Sequence, residues 1–123
     1  MLSYETLESL CYSISNIDKN IQSVAVINKR GRTIGKISRP EFEKQFPSHL
    51  SELFCMHHVL QVSMGKDFDE NYGPVNYHIS ERTNHVIITF PLDDNVMLVT
   101  TGKNTSPIAL ARKIIDVIDN SRK

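Results

Sequence analysis

VNYHISERTNHVIITFPLDDNVMLVTTG, residues Val75–Gly102, is the stretch on which the reading of this chain turns. It divides into Val75–Glu81, Val86–Leu92 and Val96–Thr101, separated by Thr83-Asn84-His85 and by Asp93-Asp94-Asn95. Side chains alternate along a strand, so Val86, Ile88 and Phe90 share one face of the middle segment while Ile87 and Thr89 share the other. β-Branched and aromatic residues fill all three segments, as a pleated surface favours, and the Asn and Asp clusters between them tolerate tight turns. The stretch predicts a three-stranded antiparallel meander, and the remaining elements must cover it.

Upstream, Leu7, Leu10, Cys11, Ile14 and Ile17 recur at spacings of three and four. They predict an amphipathic helix over Tyr4–Ile17, with Ser3 placed to cap it. Ile21–Ile27 follows as a strand. Val24 and Val26 lie on one face and Ala25 and Ile27 on the other, so both sides are expected to be covered. Asn28-Lys29-Arg30-Gly31 is a hairpin connection in which Gly31 suits a positive φ. Thr33–Ser38 returns as a shorter strand fit for a sheet edge.

Arg39-Pro40 ends that strand, because proline donates nothing to a ladder. Phe42 and Phe46 are expected to anchor the connection to the body of the protein. A second helix is expected from Pro47 to Met64, with Leu50, Leu53, Phe54, His57, Leu60, Gln61 and Met64 on one stripe. Cys55, Met56, Val59 and Val62 carry apolar character round the rest of the cylinder. A helix that covers one sheet needs one apolar face; this one has surface to spare, which points to a partner. Residues 65–74 read as a loop. Ser106-Pro107 opens the last helix, with Ile108, Ala111, Ile114, Ile115 and Ile118 expected inward.

The composition bounds the function. With 123 residues, 40% hydrophobic and 23% charged, the chain suits one ordinary globular domain over 1–123. Fourteen basic residues balance fourteen acidic ones, which removes the basic excess that a nucleic-acid binder needs. No apolar run approaches the ~20 residues that span a bilayer. The first residues show neither a basic region nor an apolar core of a leader, and Cys11 and Cys55 read as buried free thiols. The expected compartment is the cytoplasm, with no membrane partner.

The order helix, two strands, helix, three strands, helix resembles the roadblock family, which includes roadblock-type dynein light chains and partners of small GTPases. Val24-Ala25-Val26-Ile27-Asn28-Lys29-Arg30-Gly31 is similar to the family's first strand and turn. Val86–Leu92 with Asn95–Val99 is similar to its last hairpin, and the Phe90-Pro91-Leu92-Asp93 run is similar to that of uncharacterised archaeal roadblock-like proteins. The resemblance implies an α+β sandwich: a five-stranded antiparallel sheet in the order 2-1-5-4-3, the second helix on one face and the terminal helices on the other. It also implies a homodimer in which third strands pair edge to edge and second helices pack across the two-fold axis. Leu53, Met56, His57, Leu60, Met64, Val75, Tyr77 and Ile79 are the expected interface.

Catalytic readings are weak. His57-His58 with Cys55 and His49 suggests a metal site, since Cys55 and His58 lie three apart on a helix. No second pair stands at ligand spacing, so the expectation is His57 near the interface, His58 solvated and no metal or cofactor. Gly31–Lys36 falls short of a phosphate loop: it has one residue too few, Ile37 where a hydroxyl is required, and no helix behind it. Asp67, Asp69, Glu70, Asp93 and Asp94 lack calcium-loop spacing and read as solvated acids. No nucleophile with a partner base is recognisable. The chain is therefore expected to be a non-enzymatic homodimeric interaction or scaffold module, a regulator of a small GTPase or other NTPase. The alternative is a small-molecule sensor domain of profilin-like or PAS-like layout, for which Tyr77 and His78 would supply polar contacts.

Overall fold

Five segments rich in β-branched residues pair into one antiparallel sheet. β1 (Ile21–Ile27), β2 (Thr33–Ser38), β3 (His78–Glu81), β4 (Val86–Leu92) and β5 (Asn95–Thr101) stand in the spatial order β2-β1-β5-β4-β3. The computed structural model describes residues 4–122, with side chains from Thr6 to Arg122; the cap expected at Ser3 lies outside them. α1 (Tyr4–Ser15) and α5 (Pro107–Ser121) cover one face of the sheet and α3 (Glu52–Gly65) the other, with the short α2 (Pro40–Gln45) and α4 (Asp69–Tyr72) in the connections. Among the described residues no helix is long and apolar enough to cross a membrane.

Alternation along the strands sorts the core into two layers. Val24, Val26, Val86, Ile88, Phe90 and Val99 face α1 and α5, where Leu7, Leu10, Cys11, Ile14 and Ile114 complete the packing. Ile27, Val96 and Leu98 face α3 and meet Cys55, Val59 and Val62. The two thiols are buried in different layers with the sheet between them, so neither can reach the other. Burial pushes the Cys11 thiol up to about 12, which keeps it protonated and unreactive.

The hairpins obey the turn chemistry of their residues. Asn28 Oδ1 accepts from the backbone N–H of Arg30 at 2.9 Å and of Arg32 at 3.1 Å, and Gly31 takes φ +80°. Asp93, in the two-residue turn between β4 and β5, takes φ +56°, a region that Asp tolerates.

Several details differ from expectation. α1 stops at Ser15 and not at Ile17, because Ser15 Oγ and Asn16 Nδ2 both donate to the Tyr12 carbonyl and close the last turn. The helix expected over Pro47–Met64 begins at Glu52, where Ser51 Oγ accepts from Phe54 N at 3.3 Å. The first-position proline signal belongs instead to Pro40, which opens α2 in what read as a connection. In the 65–74 loop, Lys66–Phe68 forms a 3-10 turn and Asp69–Tyr72 forms α4. On α5, Leu110 takes a buried place and Ile108 is exposed, because the inward row runs through residues 110, 111, 114 and 118.

The last difference is the edge. β3 spans His78–Glu81 and not Val75–Glu81. The N–H of Arg82 donates to the carbonyl of His85 at 2.8 Å, which makes Arg82 and His85 a hydrogen-bonded pair. Alternation then makes Ser80–Ile87 and His78–Thr89 hydrogen-bonded pairs as well. The next in line is Asn76–Pro91, where the donor required of β4 is a proline nitrogen. The ladder ends where Pro91 has nothing to give.

Candidate functional site

α3 is apolar on two opposite rows. At 3.6 residues per turn, Cys55, Val59 and Val62 fall on one row with His58, and Leu53, His57, Leu60 and Met64 fall on the other. The first row packs on the sheet. The second faces outward: Leu53 is 83% exposed, Met64 64% and Leu60 51%, with His57 exposed among them. The row expected at the dimer interface is thus open in the single chain, and the row read as extending the apolar character of the helix holds it to the sheet. Short Val and Cys side chains let the helix axis approach Ile27, Val96 and Leu98 closely. Phe68 and Tyr72, in the segment that follows α3, are exposed as well.

The other expected interface residues divide. Met56 is half-buried, with its sulfur in van der Waals contact with the Gly31 turn: a Cβ at Gly31 would lie 2.6 Å from Met56 Sδ. Tyr77 faces the α1/α5 layer, its ring centroid 6.3 Å from that of Phe90. Ile79 stands opposite Ile88 on that same layer and is 37% exposed. Val75 lines a small cleft with Val62, His78 and Pro91. Because His78 and Ser80 turn their backbone polar groups toward β4, Ile79 and Glu81 turn theirs to the free edge of the sheet. The edge offers backbone for pairing; its side chains do not join the α3 row.

His58 was expected in solvent and is buried against the sheet. Its Nδ1 lies 3.3 Å from Thr89 Oγ1 and its ring meets Phe54 at 4.7 Å, while Nε2 is enclosed without a hydrogen-bond partner. Burial first, and then the positive potential of His57, pushes its pKa down to about 4. His78, opposite Thr89 in the register, also has an enclosed Nε2 with no partner.

The chemistry-bearing residues are dispersed. Cys55 Sγ lies 3.7 Å from the Leu50 carbonyl, His57 is outward, and His49 belongs to a ring cluster with Phe42 and His85. Among the described residues no three His, Cys, Asp or Glu side chains come together to hold a metal ion. Gly31–Lys36 is a β-hairpin with no helix behind it. Asp93 pairs with Arg122 at 3.1 Å, on a turn separate from the segment that carries Asp67, Asp69 and Glu70. Sequence reasoning missed the cleft of about 580 Å3 beside the amino end of α3, whose lining includes Phe42, Phe46, Phe54 and Arg82. Neither Tyr77 nor His78 lines it. Its residues come from three separate stretches, 42–54, 82–87 and Thr100, so no local motif marks it.

No family model and no curated sequence matches the chain. Solved structures do. A roadblock/LC7 domain from Streptomyces avermitilis superposes with a TM-score of 0.70 at 12% identity, covering 94% of each chain. MglB of Myxococcus xanthus gives 0.74 at 15% identity over 99% of this chain and 90% of that one. An MglB with a tetrameric arrangement gives 0.68 at 7% identity, covering 98% and 95%. The chain has the roadblock fold.

Proposed function

We propose that this protein is a non-enzymatic cytoplasmic interaction module of one domain, a homodimer that regulates a small GTPase or other NTPase. The observation that carries the reading is the open row of α3. Leu53, Leu60 and Met64 expose a contiguous apolar ridge on a helix whose opposite row is already committed to the sheet. A monomer gains nothing from such a ridge, and two copies packed ridge to ridge remove it from water. The edge of β3 is open as well: its outward N–H and C=O groups lack a strand, and a second copy supplies one. Leu53, His57, Leu60 and Met64 would form the helix half of that interface. Val75, Tyr77 and Ile79 would contribute chiefly through the β3 edge, and Met56 would support it from within.

The partner assignment rests on the fold. The chain shares it with MglB proteins, one of which forms a tetrameric arrangement, and the family resemblance implies a small GTPase as partner. Sedimentation equilibrium of the full chain at about 50 μM is the direct test, since an interface of standard size holds well at that concentration. A dimer mass is expected. A monomer at that concentration overturns the reading.

A further inference from the structure

The cleft beside the amino end of α3 is built as a ligand site. One wall is a cluster of four rings. Phe42 meets His49 edge to face at 4.8 Å and lies 5.2 Å from Phe46, and His85 closes the set at 5.2 Å from Phe46 and 5.7 Å from Phe42. Phe54 faces the space from α3, held edge-on by the buried His58. Ile87 and Thr100, paired in the β4–β5 register, contribute the sheet surface beneath. At about 580 Å3 the cleft has the size of small-molecule sites.

The ring wall is fixed in advance. His49 Nδ1 donates to the Phe46 carbonyl at 2.9 Å, so Nε2 is free to accept from Ser23 Oγ at 3.3 Å, and Ser23 stands 3.1 Å from Ser38 Oγ. The α2–α3 connection is thereby tied to both β1 and β2, and little order remains to be imposed when a ligand enters.

The charge of the lining is one-sided. Arg82 is its fixed charge, two imidazoles accompany it, and no carboxylate lines the space. Composition does not explain this, because acids and bases are equal in number along the chain. Among the described residues no carboxylate forms an ion pair with Arg82. Apolar rings on two sides select a flat ring; an unpaired guanidinium at the hairpin selects an anionic group.

We propose that the cleft binds a small planar aromatic anion, its ring between Phe46 and Phe54 and its acidic group on Arg82. The inference stands on the cavity and is independent of how copies associate. An NMR titration of the full chain with two probes, indole-3-acetate and 1-naphthyl phosphate, tests it and separates carboxylate from phosphate. Saturable shifts at Thr83, Asn84, His85 and Thr100 are expected with at least one probe. Affinity should fall about tenfold or more in Arg82→Gln, and likewise for the neutral indole-3-acetamide, as loss of a charge-assisted contact requires. Arg82 is exposed on a hairpin, so its substitution leaves the fold intact. The proposal is overturned by absence of saturation with both probes up to about 10 mM, far above the range of built sites. It is also overturned by unchanged affinity in Arg82→Gln, or by shifts centred on Leu53, Leu60 and Met64.

Discussion

His58 Nδ1 lies 3.3 Å from Thr89 Oγ1 in the layer between α3 and the sheet, and no carboxylate accompanies the pair. The imidazole is buried as a neutral ring, and its other nitrogen is enclosed without a partner.

That geometry makes folding sensitive to acid. The folded pKa of about 4 lies below the ordinary value of 6.5, so between these limits the unfolded chain binds a proton that the folded chain refuses. Stability is full above 6.5 and is lost as pH falls toward 4, by on the order of 2–3 kcal/mol. Urea unfolding of wild type at about pH 5 and pH 7.5 should show the lower stability at pH 5, and His58→Gln should flatten the difference. An equal pH dependence in the variant would assign the effect to other groups.

The open ridge of α3 gives a prediction about association. Leu60→Glu places an unpaired charge in the middle of the proposed interface, where it should weaken the dimer by about 2 kcal/mol or more. Leu60 is half exposed within one chain, so the melting of the separated monomer should change little. Sedimentation across a concentration series reads the first effect and circular dichroism at low concentration the second.

Pro91 gives one about the edge. Pro91→Val restores the donor that the Asn76–Pro91 position lacks, and β3 should lengthen by one pair. The new amide at position 91 should exchange with solvent at least about tenfold more slowly than an open amide. Exchange at the open rate would mean that something other than the missing donor ends the strand.

On α5 the outward turn of Ile108, expected inward, is measurable against Ile114, which is inward as expected. Ile114 is wholly buried and Ile108 is more than half exposed. Ile114→Ala should cost about 3–4 kcal/mol in urea unfolding, and Ile108→Ala about 0.5 kcal/mol or less. Similar costs at the two positions would contradict the packing of the helix.

How much was legible in the chain differs from element to element. Val86–Leu92 emerges with its expected bounds because alternation and β-branching act locally, and the Asn28–Gly31 turn does so because Asn and Gly carry their own turn chemistry. The helix at Glu52 was misplaced by five residues, since Pro47 and Ser51 each supply a start signal and only the folded connection chooses between them. The ring cluster of Phe42, Phe46, His49 and His85 had no local signature, as His85 arrives from a hairpin far along the chain.

Sequence periodicity by itself determined that α3 is greasier than one sheet requires, that the meander is antiparallel, and that the last helix belongs to the core. Only tertiary structure decided which row of α3 lies inward, because two rows of similar hydropathy are equivalent until a sheet of given shape prefers the shorter side chains. It likewise decided that His58 is buried and His57 is not, and that three distant segments enclose one cleft. Periodicity is a property of neighbours along the chain, whereas burial and enclosure depend on what arrives from elsewhere.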